Sequence, residues 1–190
     1  MEISLIRHGK PVTPSLARLS AYSFINWVTQ YNLSGLCPSS TPTEEAKSKA
    51  QTCHAIVCSS LTRSIESAHL LAEKAEIISS SLFNEADLPI AKWHSLKLSP
   101  KAWAVIFRVI WLLGYSSNSE SYKEAKERAK KSVEQLEEFA HKYKSVLFVG
   151  HGVYNRLLAK ELKAKGWLGP NNPGTKHWAL STYKKHCNSF

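Results

Sequence analysis

The chain has 190 residues, enough to bury a core of its own and read here as one domain over 1–190. Hydrophobic content of 43% and charged content of 21% exclude a disordered or fibrous class. Twenty-five Lys and Arg against 15 Asp and Glu give a formal +10, which favours anionic partners. The basic residues are scattered, with no dense arm interleaved by aromatics, so a phosphorylated small molecule is expected and nucleic acid is not.

In chain order, EISLIRHG (2–9) reads as a short apolar strand that stops at glycine. Residues 10–43 are rich in Pro and Ser and read as loop with a short helix. A helix is expected over 41–55, with Thr41 and Glu44 at capping-box spacing and Pro42 at the first helical position. AIVCSS (55–60) is a buried type of strand. It leads into a helix over 62–76 whose Ile65, Ala68, Leu71, Ala72 and Ala75 share one face.

EIISS (76–80) is a short β segment, and 81–93 is an irregular connection. The longest apolar run, 102–114, is interrupted by Arg108 and too short to span a bilayer. It is expected to be a core helix buried all round, with a lid or a subunit contact as alternatives. SESYKEAKERAKKSVEQLEEFAHKY (119–143) is a long amphipathic helix with Glu124 and Arg128 paired at i,i+4. SVLFVG (145–150) is the strongest strand, covered on both faces; a helix follows to about Gly166, and 177–185 is a last strand. This alternation predicts a three-layer α/β fold, a mostly parallel central sheet flanked by helices.

Cys37, Cys53, Cys58 and Cys187 have no CxxC or metal-ligand spacing and are expected as free thiols in a reducing compartment. Glu2 and the polar residues by Arg7 leave no room for a secretory h-region, so a cytoplasmic location is expected, without membrane association.

Parallel sheets bind ligands beyond the carboxyl ends of their strands. Three apolar strands here end on cationic or imidazole residues: Arg7 and His8, then Arg63, then His151 in GHG. If the strands are neighbours, two guanidiniums and two imidazoles converge. That set suits a phosphoryl group, because arginine forks match pairs of phosphate oxygens and keep their charge.

LIRHG, CSSLTRSIESAHLLA and VLFVGHG resemble, in order and spacing, the three signatures of the histidine phosphatase superfamily, and 118–136 is similar to the helix preceding its last catalytic strand. Gly152 after His151 points to the phosphoglycerate mutase-like branch. The resemblance implies that His8 is the nucleophile, forming a phosphohistidine, and that Arg7, Arg63, His151 and the Gly152 amide hold the phosphoryl oxygens. It implies Glu85 as the general acid, with Asp87 as rival, and no metal or other cofactor. The family's usual residues after RHG are replaced by KPVTPS, its motif after the acid by ADLPIAKW, and Ser64 stands where alanine is frequent. A phosphatase is therefore expected. The alternatives are a phosphoglycerate mutase-type transferase, a protein phosphohistidine phosphatase, and a non-catalytic phospho-ligand binder.

Overall fold

The computed structural model describes residues 1–186. Its centre is a five-stranded sheet built from β1 (Glu2–Arg7), β3 (Ala55–Ser59), β4 (Glu76–Ser80), β6 (Ser145–Gly150) and β7 (Leu180–Lys184). Their spatial order is β4-β3-β6-β1-β7, parallel except for β7, which runs antiparallel to β1. Successive side chains of a strand face opposite ways, and the apolar residues divide accordingly. Ile3, Leu5, Val57, Val146 and Phe148 turn to one face, under α5 (Tyr122–Tyr143) and α6 (Gly152–Ala164). Ile6, Ile56, Cys58, Leu147 and Val149 turn to the other, under α2 (Glu44–Gln51) and α3 (Thr62–Leu71). The expected three layers and mostly parallel sheet are present.

A third apolar cluster lies outside these layers. The short pair β2 (Leu19–Ser20) and β5 (Lys97–Leu98) brings α1 (Ala21–Leu33) and α4 (Pro100–Leu112) together around Phe24, Trp103 and Phe107. Ser20 and Ser99 cap the two helices, accepting from the amides of Ser23 and Ala102 at 3.2 and 3.3 Å, and Pro100 takes the first turn of α4.

Four local expectations are corrected. The cap of α2 is Thr43, accepting from Ala46 N at 3.2 Å, rather than Thr41, which places Glu44 and Glu45 in the first turn beside the positive end of the helix dipole. The helix α3 stops at Leu71 instead of 76, because Ala72 turns extended to return the chain to β4.

The apolar run is not buried all round. Trp103, Phe107 and Trp111 are covered, whereas Val105 and Leu113 are 63% and 81% exposed. The reason is placement: α4 packs on α1 at the outside of the third cluster, so a single face has cover. Finally, Glu124 does not pair with Arg128. It closes a capping box with Ser121 (2.7 and 3.2 Å), and Arg128 reaches back to Glu120 and to the carbonyls of Leu82 (2.7 Å) and Asn84 (2.9 Å).

Among the described residues no helix is long and apolar enough to cross a membrane. Cys37, Cys53 and Cys58 are free thiols, and Cys187 lies outside the described residues.

Candidate active site

Because β1 and β3 both run parallel to β6 and flank it, their carboxyl ends share one edge, and the three strand-end motifs meet there. Arg7 is in register with Gly150, and His8 follows with its amide donating to Gly150 O at 2.9 Å. Two glycines permit this approach. A Cβ on Gly9 would overlap the Trp178 ring, and one on Gly150 would strike Phe148 and the Asn155 side chain. Asn155 needs its place: it accepts from His151 N at 3.1 Å and donates to Ile6 O at 3.2 Å, tying β6 to β1.

His8 is 2% exposed. Its Nδ1 lies 2.7 Å from Gly9 O, an acceptor only, so Nδ1 carries the proton and Nε2 keeps a free electron pair. The His151 ring stands 5.0 Å away, edge-on, with Nε2 at 2.7 Å from Ser59 Oγ and 3.4 Å from Ser64 Oγ. Ser59 Oγ also accepts from Leu61 N (3.3 Å); when its hydroxyl proton goes to His151 Nε2, Nδ1 carries the proton of the ring. Burial, then Arg63, then Arg7 hold the His8 imidazolium well below its ordinary range. Burial, then His8 and the same arginines, do so for His151. Both rings are neutral at neutral pH.

Arg63 is buried at the start of α3, and the end of α1 anchors it. Its Nη1 donates to Tyr31 O at 3.2 Å, both Nη atoms reach Asn32 Oδ1 at 3.4 Å, and the guanidinium lies 4.8 Å from the Tyr31 ring centre. Arg7 donates to Thr175 O, and Gly152, the first residue of α6, lies against its guanidinium. Arg7 Nε, Arg63 Nε and His151 Nδ1 are three of the buried polar side-chain atoms with no partner among the described residues. Such donors are rare in native proteins, and here they gather around one imidazole.

Glu85 sits over the amino end of α6, accepting from Val153 N (3.2 Å) and Tyr154 N (2.8 Å). Arg128 pins the loop that carries it through the two carbonyls named above, with its guanidinium 4.1 Å from the Tyr154 ring centre. Asp87 is exposed; partial burial, then Glu120, push its carboxyl up. Arg7, Arg63, Glu85 and Asp87 line a cavity of about 570 Å³, and His8 and His151 lie one layer deeper.

The geometry thus brings together Arg7, His8, Arg63, His151 and Gly152, with Glu85 beside them and Asp87 at the rim. It also adds residues missed in the sequence. Ser59 and Ser64, which orient His151, belong to CSSLTRS and were in view. His177, at the start of the last expected strand, belongs to no motif. Its Nδ1 donates to His8 O at 3.1 Å and its ring lies 5.4 Å from that of His8. No group of three or more His, Cys, Asp or Glu among the described residues stands together as a metal site would.

Two buried neutral imidazoles make the fold acid-sensitive. Below about pH 6.5 the unfolded chain protonates both while the native state resists, so the unfolded state binds more protons and stability declines as pH falls. Urea unfolding between pH 6.5 and 5 is expected to lose up to about 1.4 kcal/mol per pH unit for each ring, and to show no such loss from them above pH 7. A flat profile through the acid range would mean that neither ring is held neutral.

A family model described as the histidine phosphatase superfamily (branch 1) matches residues 43–183. The match includes Arg63, Glu85 and His151, whereas Arg7 and His8 precede it and join them through the sheet. Among solved structures, phosphoglycerate mutase from Bacillus anthracis str. Sterne is 18% identical, with 96% of this chain and 86% of that chain covered and a TM-score of 0.62. A mycobacterial glucosyl-3-phosphoglycerate phosphatase is also 18% identical, with 95% and 88% covered and a TM-score of 0.60. The same phosphatase has been solved with inorganic phosphate (18% identity, 95% and 88% covered, TM-score 0.56). No curated protein matches the chain in sequence.

Proposed function

Since the chain belongs to the histidine phosphatase superfamily, branch 1, we propose that it hydrolyses a phosphomonoester through a phosphohistidine on His8. The observation that carries this reading is the ring of unpartnered donors, Arg7 Nε, Arg63 Nε and His151 Nδ1, around an imidazole whose Nε2 is free. Phosphate oxygens are the acceptors that suit three such donors. The mycobacterial phosphatase of the same fold, solved with inorganic phosphate, supports it.

In the first step His8 Nε2 attacks phosphorus and the bond to the ester oxygen breaks. Arg7, Arg63, His151 and the Gly152 amide hold the three equatorial oxygens as their charge shifts. Glu85 delivers a proton to the departing alcohol. In the second step Glu85 takes a proton from water, the water oxygen attacks phosphorus, and the P–N electron pair returns to His8. Burial and the two arginines keep His8 in the unprotonated form that attack needs.

The residues of this mechanism require no metal. The purified chain is expected to release phosphate from p-nitrophenyl phosphate at an undiminished rate with EDTA present, with inorganic phosphate as a competitive inhibitor. Absence of turnover together with retained phosphate binding would leave a phospho-ligand binder in its place. A rate that EDTA abolishes would remove this mechanism.

A further inference from the structure

We propose that the alcohol half of the substrate is flat and apolar, an arylalkyl or similarly hydrophobic phosphomonoester rather than a phosphorylated sugar or polyol. This rests on the phosphatase reading above and deepens it. The phosphoryl cradle opens into the cavity of about 570 Å³, within the range of small-molecule sites, and one wall of that cavity is aromatic.

The wall is a ladder on one face of α1. Phe24, Trp27 and Tyr31 stand at i, i+3 and i+7. Their ring centres are 5.6 and 5.2 Å apart and their planes lie within 14° and 10° of parallel. The rung beside the phosphate site, Tyr31, is the ring that faces Arg63, and the ladder runs from there to Phe24 in the third cluster. It is stiffened from behind, since Phe24 stacks on Phe107 at 5.6 Å and Phe107 on Trp103 at 5.5 Å. Leu88 and Ala104 add to the apolar lining.

Several polar groups along the α1 side of this lining are already engaged. Asn32 Oδ1 serves Arg63, Asn84 Oδ1 serves Ser60, Trp27 Nε1 donates to Ser15 O at 2.8 Å, and Arg108 donates to Ala86 O at 2.8 Å. A sugar or polyol lying along α1 would strip water from its hydroxyls and find replacements away from that wall, at Thr13, Asp87 and His177, whereas an aromatic ring would exchange water for apolar contact. Lys10 and Lys101 are exposed parts of the lining and remain in water.

The test compares alkyl esters of similar leaving-group basicity, so that the demand on the general acid is matched. 2-Naphthylmethyl phosphate is expected to exceed glycerol 1-phosphate and glucose 6-phosphate in kcat/KM by at least about tenfold, mainly through KM. Trp27→Ala should shrink that preference by about tenfold, and Trp27→Phe, which keeps a ring in the ladder, should restore most of it. Binding of 2-naphthylmethylphosphonate and methylphosphonate by calorimetry gives a readout independent of turnover. If the sugar or polyol ester is preferred while turnover is robust, the substrate class falls and the phosphatase reading stands. If no ester is turned over but the naphthyl phosphonate still binds at least about tenfold tighter, the pocket assignment stands and the phosphatase reading falls. Equal binding of both phosphonates overturns the proposal.

Discussion

His8→Ala is expected to lower kcat/KM for p-nitrophenyl phosphate by at least about four orders of magnitude, the scale on which loss of a nucleophile falls. No other imidazole near the cradle is equivalent. His151 has its Nε2 committed to Ser59, so that nitrogen offers phosphorus no electron pair. His177 holds His8 O through Nδ1, which leaves its Nε2 as the one substitute in the neighbourhood. The alanine variant keeps Arg7, Arg63 and His151, so inorganic phosphate should still raise its thermal midpoint, and this distinguishes a lost nucleophile from a lost fold. A variant that binds phosphate and retains activity within about a hundredfold would transfer the nucleophile role to another residue, and His8→Ala/His177→Ala would then identify it.

The grouping of the candidate site was legible in the sequence because strand ends report their own positions. In LIRHG, IVCSSLTR and VLFVGHG an apolar run needing cover gives way to groups that cannot be buried without a partner, and parallel pairing puts all three transitions at the same edge. Hydrophobicity shows that a segment needs cover but not what supplies it. Residues 102–114 therefore read as a core helix, although one side packs on α1 and Val105 and Leu113 stay in water.

The role of residues 10–43 was hidden for a related reason. Their part in the site depends on Tyr31 O and the Asn32 side chain reaching Arg63, a contact across more than thirty positions that leaves no periodic trace. Local rivals decided the smaller corrections. TPTEE offers two threonines for one cap, and Arg128 exchanged a weak helical pairing with Glu124 for two carbonyls and Glu120.

Glu85→Gln should separate substrates by their leaving groups. The glutamine carbonyl can still accept from Tyr154 N, but its NH2 replaces the oxygen that accepts from Val153 N, so the side chain keeps one of its two bonds to α6 and cannot supply a proton to an alkoxide. For an alkyl phosphate kcat/KM is expected to fall by about 10² to 10⁴, the usual worth of a positioned acid. For p-nitrophenyl phosphate, whose phenolate departs unprotonated, it should fall only severalfold. The second half of the cycle adds an independent signature. Water attack on the phosphohistidine also uses Glu85, so kcat should drop for both esters, and nitrophenol should appear in a burst equal to the enzyme before the slow steady state. Asp87, exposed at the rim with Glu120, Arg128, Arg108 and Glu85 as its charged neighbours, should show no leaving-group dependence as Asp87→Asn. Equal losses of kcat/KM for both esters in Glu85→Gln, or a leaving-group-dependent loss in Asp87→Asn, would take the acid role from Glu85.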